Sequence, residues 1–217
     1  MSRAPSFCGV ILAAGESTRM GSDKALLSWP PGKAGIATNQ TFLSATIATL
    51  NAINDMVIVV GGKNAEYLKP IVYAAGASLV QNRNPELGQF SSLQIGLQEV
   101  LNQGRDAAMV TLVDRPPPRV NTLRALHLAF EEAALHGKWA VVPEYNGKHG
   151  HPFLIGREMI SAFLKADVTA TARDIEHKNQ GQIQYFPVDD PFVTFNVDTP
   201  QDYEALAENA PHGNSRE

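Results

Sequence analysis

The sequence predicts an α/β fold, a three-layer α/β/α sandwich around a mostly parallel sheet. Apolar runs alternate along the chain with amphipathic stretches of helical period, which is typical of right-handed βαβ units. The runs at residues 7–13, 56–60 and 107–113 are continuously apolar instead of alternating with polar residues. A strand that is buried on both faces, as in the centre of a parallel sheet, has this pattern.

The individual elements follow from the same patterns. Residues 42–53 form a helix because Phe42, Ile47 and Leu50 share one face. The last helix spans residues 199–208, where Thr199 can cap the helix and Pro200 suits its first position. Further helices are predicted at 65–75, 91–101 and 123–135, and further strands at 78–81 and 140–142, followed by shorter strands with antiparallel pairing at 151–155, 184–188 and 193–195.

Length and composition limit the class of protein. The 217 residues, 44% of them hydrophobic and 18% charged, suffice for one substantial core, so we expect a single domain over residues 1–209 and a disordered tail over 210–217. A net charge of −4 without a long basic cluster argues against nucleic acid as a partner. No run approaches the ~20 apolar residues of a membrane span, and the N-terminus lacks a signal-like core. We therefore expect a cytoplasmic protein, with Cys8 as a buried thiol.

The loop after the first strand carries the strongest chemical signal. Residues 10–24 read VILAAGESTRMGSDK, so the strand ends in small residues and Gly15, and the loop adds Arg19, a second glycine and Lys24. Glycine lets backbone N–H groups approach phosphate oxygens, and the two cations would neutralise phosphate charge. The spacing matches neither the P-loop nor the dinucleotide fingerprint. The alternative is an ordinary turn with solvated charges.

Two aspartates follow later strand ends. Asp114 comes directly after the run 107–113, and Asp198 precedes the last helix. A carboxylate at such a position can bind Mg²⁺, which prefers to bridge carboxylates and substrate phosphates. Alternatively, Asp114 forms a turn before Arg115, and Asp198 caps the last helix or forms an Asx turn.

The predicted topology places several of these residues at one edge. Ligands of parallel α/β sheets bind beyond the carboxyl ends of the strands. We therefore expect Gly15, Gly61, Asp114 and the loop after Gln81 to gather there.

Weaker candidates lie elsewhere along the chain. Gly61 allows backbone to approach a nucleotide, or simply forms a turn. Ser91 and Ser92 could bind a base edge or ribose at a helix N-terminus, or could cap that helix. His149 and His151 have no third ligand at metal spacing, so a metal site there is not favoured.

The string L-A-A-G-x-S-x-R-M-G-x-x-K resembles the signature of the MobA-like nucleotidyltransferase family, which includes the molybdenum cofactor guanylyl- and cytidylyltransferases. Residues 88–93 (GQFSSL), 112–116 (LVDRP), 150–152 (GHP) and 196–203 (NVDTPQDY) resemble the same family in the same order. The last two are more similar to the cytidylyltransferase branch. The matching positions of the first motif are Leu12, Ala13, Ala14, Gly15, Ser17, Arg19, Met20, Gly21 and Lys24.

The resemblance implies a Rossmann-like fold of the nucleotide-diphospho-sugar transferase type. It also implies Mg²⁺-dependent transfer of a nucleotidyl group from a nucleoside triphosphate, with CTP favoured, to a phosphorylated acceptor such as the molybdopterin cofactor. Asp114 and Asp198 would then bind Mg²⁺. The loop pattern and the resemblance together give the candidate site residues. The candidate catalytic residues are Arg19, Lys24 and Asp114, and the acceptor-side residues are Arg115 and His151. The candidate nucleotide-binding residues are Leu12, Ala13, Ala14, Gly15, Lys24, Gly61, Ser91 and Ser92.

One departure from the family keeps the acceptor open. Relatives carry Gly-Asp-Gln-Pro or Gly-Asp-Met-Pro where this chain has Val-Asp-Arg-Pro, so Arg115 adds a cation. Guanylyl transfer, transfer to a sugar or polyol phosphate, and nucleotide binding without catalysis all remain open. So does transient contact with a molybdoenzyme or a cofactor-handling protein. A nicotinamide dehydrogenase is disfavoured because its glycine fingerprint is missing.

Overall fold

A mixed sheet lies at the centre of the protein in a computed structural model that describes residues 6–15, 20–31 and 40–209. Within these residues the sheet has eight strands. The strands are β1 (Phe7–Ala13), β2 (Met56–Gly61), β3 (Ser78–Gln81), β4 (Ala107–Leu112), β5 (Ala140–Tyr145), β6 (Lys148–His149), β7 (Phe153–Gly156) and β8 (Ile183–Pro187). Their order in the sheet is β3-β2-β1-β4-β7-β5-β6, and β8 also pairs with β5.

Helices cover both faces of this sheet. The helices are α1 (Phe42–Asn51), α2 (Ala65–Ala74), α3 (Gln89–Asn102), α4 (Val120–Leu135), α5 (Arg157–Lys165), α6 (Ala172–Lys178) and α7 (Pro200–Asn209). Successive residues of β1 point to opposite faces of the sheet. Ile11 therefore packs in the core that is covered by α1, α2 and α4, while Val10 packs in the core that is covered by α3, α5 and α6. The three-layer prediction is confirmed.

The edge predicted for ligand binding is present. β1, β2, β3 and β4 run parallel, with Ala13 beside Gly61 and Gly61 beside Gln81, while Leu12 lies beside Leu112. Their carboxyl ends therefore meet at one edge of the sheet, and Asp114 follows two residues after β4.

Buried residues at other positions agree with the pattern. Cys8 is fully buried, and burial raises the pKa of its thiol to about 12. Phe42, Phe192, Val197 and Leu206 form a third, smaller core that holds α7 against α1. No helix in the described part of the chain is long and apolar enough to cross a membrane.

The predictions for the second half of the chain are partly wrong. β7 is antiparallel to β4 and β5, but β8 is parallel to β5. The strand predicted at 193–195 does not form. Pro191–Val193 is instead one 3₁₀ turn, because the buried side chain of Asp190 accepts a hydrogen bond from the Phe192 N–H at 3.1 Å. The hairpin strand β6 and the helices α5 and α6 were not predicted.

Candidate active site

Lys24, Asp114 and Asp198 meet at the carboxyl edge of the sheet. The Lys24 Nζ lies 2.7 Å from Asp198 Oδ1 and 3.8 Å from Asp114 Oδ2. Lys24 is only 8% exposed, whereas the two carboxylate side chains are 28% and 31% exposed. One buried ammonium therefore stands beside two solvent-accessible carboxylates that come from distant parts of the chain.

The side chain of Asn64 fixes the turn that carries Lys24. Asp23 caps this 3₁₀ turn by accepting a backbone N–H. The Asn64 Nδ2 donates to Asp23 Oδ2 at 2.7 Å and to the carbonyl of Ala13 at 3.0 Å, and its Oδ1 accepts from the Gly62 N–H at 3.0 Å. Asn64 thus ties the end of β1 and the end of β2 to the lysine turn.

Asp202 fixes the backbone on the other side of the site. Its Oδ2 accepts from the backbone N–H groups of Asp198 at 3.0 Å and Thr199 at 2.8 Å. Thr199 Oγ1 in turn accepts from the Asp202 N–H at 3.2 Å, which completes a capping box at the start of α7. The prediction that Thr199 caps this helix is confirmed. The alternative that Asp198 does so is wrong, and its carboxylate is turned to Lys24.

Asp114 has the chemistry of a metal ligand. Burial raises the pKa of its carboxyl, the nearby charge of Asp198 raises it further, and Lys24 and Arg115 oppose this. Its Oδ1 is buried without a hydrogen-bond partner among the residues that the structure describes. Its backbone carbonyl accepts from the Val197 N–H at 2.8 Å, which joins the two aspartate segments.

The donor set fits a divalent cation that also binds substrate. Two carboxylates and an unpartnered buried oxygen suit Mg²⁺, which takes one or two carboxylates together with substrate phosphates and water. Within the described ranges, no group of three or more His, Cys, Asp or Glu residues could hold a metal ion.

Arg115 and His151 meet at one backbone carbonyl. The Arg115 Nη1 and the backbone N–H of His151 donate to the carbonyl of Val193 at 3.2 Å and 2.8 Å. Burial lowers the pKa of the Arg115 guanidinium, while the charges of Asp114 and Asp198 raise it. Burial, with the charge of Arg115, lowers the pKa of His151 to about 3, so its imidazole is neutral at physiological pH.

Two cavities open beside these residues. The smaller has a volume of about 120 Å³ and the larger about 340 Å³. Leu12, Gly88 and Gln89 line both, so the two cavities are neighbours, and His151 lines the larger one. The smaller cavity also contains the predicted nucleotide-binding residues Ala14, Gly15 and Ser92.

The two serines have different surroundings. Both are buried, and each Oγ accepts a hydrogen bond from Asn82 Nδ2 at 2.9 Å. Ser91 Oγ donates its proton to the carbonyl of Gly88 at 2.7 Å, so its side chain is used within the protein. Ser92 lines the smaller cavity. The capping alternative is wrong for both, because α3 begins at Gln89 and no side chain caps it.

The remaining predicted residues lie in the sheet or outside the described residues. Ala13 and Gly61 pair within the sheet next to the site. Arg19 lies outside the residues that the structure describes, as does the predicted tail at 210–217. Sequence reasoning missed Asn64, Asn82 and Asp202. The Thr199-x-x-Asp202 spacing is a capping-box signal that indicates the last of these.

The fold and the lysine–aspartate cluster define an α/β protein with the architecture of a nucleotide-handling enzyme. The chain belongs to the MobA-like NTP transferase domain family, which matches residues 9–183.

Of three similar curated proteins, two are named as molybdenum cofactor nucleotidyltransferases, and these two differ in the named base. The purine catabolism protein PucB of Bacillus subtilis is 29% identical over 94% of this chain and 97% of its own length. A probable molybdenum cofactor guanylyltransferase of Rhodopirellula baltica is 30% identical over 59% of this chain and 58% of its own. The molybdenum cofactor cytidylyltransferase of Escherichia coli is 22% identical over 89% of this chain and 92% of its own length.

Solved structures share the architecture. Rv0371c from Mycobacterium tuberculosis is 26% identical, with a TM-score of 0.77 over 95% of this chain and all of that chain. A second structure of Rv0371c, a complex with manganese, gives a TM-score of 0.73 at 24% identity over 94% of this chain and 98% of that one.

Proposed function

We propose that the chain transfers a nucleotidyl group from a nucleoside triphosphate, with CTP favoured, to a phosphorylated acceptor of the molybdopterin type and releases pyrophosphate. The observation that carries the proposal is the convergence of Lys24, Asp114 and Asp198 at the carboxyl edge of the sheet. The relatives named as guanylyl- and cytidylyltransferases support the reaction class. The preference for CTP is supported by the likeness of residues 150–152 and 196–203 to the cytidylyltransferase branch.

The residues present account for the chemistry of such a transfer. A phosphate monoester is already a nucleophile, so its attack on the α-phosphorus needs no strong general base. Catalysis then consists of positioning and charge stabilisation. The Lys24 ammonium would neutralise phosphate charge, and a unit pair at ~4 Å is worth roughly 4 kcal/mol at an effective dielectric near 20. Arg19 is proposed for the same role.

Asp114 and Asp198 are proposed to hold Mg²⁺. When bound, the ion would supply positive charge to the triphosphate and the departing pyrophosphate. Leu12, Ala14, Gly15 and Ser92 would bind the nucleoside, since they line the smaller cavity. Arg115 and His151 are proposed for the acceptor side.

Replacing Lys24 or Asp114 should stop the reaction without unfolding the protein. For Lys24→Ala and Asp114→Ala we expect Mg²⁺-dependent release of pyrophosphate from CTP and molybdenum cofactor to fall at least ~10²-fold, as for the loss of other preorganised charge-stabilising groups. Lys69→Ala is the matched control, because Lys69 pairs with Glu66 on the exposed surface of α2. Wild-type turnover in both test variants would remove this mechanism.

Guanylyl transfer is the second candidate, because the Rhodopirellula baltica relative is named a probable molybdenum cofactor guanylyltransferase. The two candidates share the site and differ in the nucleobase. Pyrophosphate release with GTP but not with CTP would replace the cytidylyl assignment and leave the mechanism unchanged.

A further inference from the structure

The carboxylate of Glu176 lines the larger cavity. Glu176 is half-buried on α6, and its side chain makes no hydrogen bond or ion pair within residues 6–15, 20–31 and 40–209. Burial raises the pKa of this carboxyl, while the charges of His177 and Arg173 lower it. A ligand that fills this cavity would displace water from the carboxylate, so it must supply hydrogen-bond donors in return.

Neighbouring polar groups on this wall have already used their protons. Thr169 Oγ1 donates to Asp167 at 2.7 Å, and Thr171 Oγ1 donates to Asp174 at 2.7 Å. Both threonines line the same cavity as Glu176. Their hydroxyl oxygens can only accept further hydrogen bonds. The wall formed by residues 168–176 therefore offers acceptors and calls for a ligand with several donors.

The rest of the cavity favours a neutral group with apolar faces. Leu93, Leu112, Phe90 and Phe153 contribute apolar walls, and the volume of about 340 Å³ is at the lower end of the range for small-molecule sites. Such walls disfavour a free ammonium or guanidinium, which would lose hydration there. A planar heterocycle with two adjacent N–H donors satisfies both the carboxylate and the apolar surfaces.

We propose that Glu176 determines the specificity of the larger cavity by accepting two parallel hydrogen bonds from the aminopyrimidinone edge of a bound heterocycle. Pterins and guanine share this edge, in which a ring N–H lies beside an exocyclic amine. This proposal rests on the proposed function, because it takes the larger cavity as the binding site of the acceptor. The heterocycle that Glu176 binds is then the pterin ring of the acceptor.

Ligand pairs that differ in one group test the proposal. We would titrate the intact protein with 6-hydroxymethylpterin and follow binding by the fluorescence of the pterin. The comparison ligand is 6-hydroxymethyllumazine, in which oxygen replaces the exocyclic amine. Wild type should bind the pterin at least tenfold more tightly than the lumazine. Glu176→Gln should remove that preference, and Glu158→Gln, at an exposed position on neighbouring α5, should keep it.

The contrary outcomes are distinct from failure of the proposed function. Equal pterin affinity in wild type and Glu176→Gln, or no pterin binding at all, would overturn the proposal. If GMP loses affinity in Glu176→Gln while the pterin does not, the edge belongs to the nucleotide and the acceptor assignment is overturned. Stabilisation by CTP and Mg²⁺ is measured in the same variants. If CTP and Mg²⁺ do not stabilise wild type, the proposed function fails. The comparison of pterin and lumazine binding can still be interpreted in that case.

Discussion

Lys24 is a buried cation whose charge is balanced by two carboxylates at the surface of the site. Burying an ammonium is costly unless it is paired, and here the partners are Asp198 at 2.7 Å and Asp114 at 3.8 Å. The two carboxylates would repel one another without a cation. This arrangement explains why three residues that are far apart in sequence act as one unit.

His151 should make the protein sensitive to acid. Its pKa is lowered to about 3 in the folded state, against an ordinary value of 6.5, so the unfolded chain binds more protons between these values. Stability therefore rises with pH across this window and is lost as the pH falls. Urea unfolding of wild type and His151→Gln near pH 7 and pH 5 should show a steeper loss in wild type, by at most about 1.4 kcal/mol per pH unit.

His136→Gln serves as the control for this experiment, because the His136 side chain is 69% exposed. It should lose stability between the two pH values as wild type does. An unchanged pH dependence in His151→Gln would contradict the assignment of a neutral imidazole with a lowered pKa.

Two capping boxes allow the positioning role of Asp202 to be separated from its structural role. Thr199 and Asp202 form one at α7, and Thr171 and Asp174 form the other at α6. Asp202→Asn and Asp174→Asn should lower Tm by similar small amounts. Only Asp202→Asn should raise the Mg²⁺ concentration needed for half-maximal pyrophosphate release, because Asp202 also binds the Asp198 N–H. The same Mg²⁺ dependence in both variants would contradict this role.

Sequence patterns identified the charged residues that follow strand ends but not the groups that orient them. Lys24, Asp114 and Asp198 are recognisable because chain order and strand position place them at the ligand-binding edge. Asn64 and Asn82 act through tertiary hydrogen bonds to β1, the lysine turn and α3, and no local pattern indicates those partners. Glu176 is likewise defined only by the cavity that its helix lines.

At the scale of elements, burial decided which ones could be predicted. The central strands were recognised because they are apolar on both faces, and α1 to α4 because each buries several residues at helical spacing. Helix α6 buries only Ile175 and gives no period, although its capping box is a start signal. Helix α5 follows β7 directly, so its apolar residues merge with those of the strand.

The contact between the ends of β1 and β2 should not tolerate a side chain. A Cβ at Gly62 would lie 2.6 Å from the carbonyl oxygen of Ala14, which lines the smaller cavity. Gly62→Ala should therefore displace this segment, cost about 1–3 kcal/mol in the free energy of unfolding, and weaken nucleotide binding. Gly181→Ala is the control, because a Cβ there has nothing within 4 Å. Equal urea stability and CTP affinity in both variants would show that the Gly62 contact is unimportant.

At the scale of the whole molecule, the parallel half of the sheet gathers the site. Ala14 and Gly15 follow β1, Asp114 follows β4, and the segment before α7 brings Asp198 beside Lys24 and Asp114 through the Val197–Asp114 hydrogen bond. The antiparallel strand β7 begins at Phe153, which lines the larger cavity together with His151, two residues before it. Residues from both ends of the chain thus meet at one site.

Metal-dependent stabilisation by nucleotides tests the central claim that Lys24, Asp114 and Asp198 handle a metal-bound triphosphate. Tm would be measured with CTP, GTP, ATP and UTP, each with and without Mg²⁺, in wild type and Asp114→Asn. One triphosphate, CTP by this account, should raise the Tm of wild type only with Mg²⁺; at 100 times Kd the gain is about 2.7 kcal/mol. Asp114→Asn should lose that gain. An equal rise in the variant, or no rise with any triphosphate in wild type, would contradict the account.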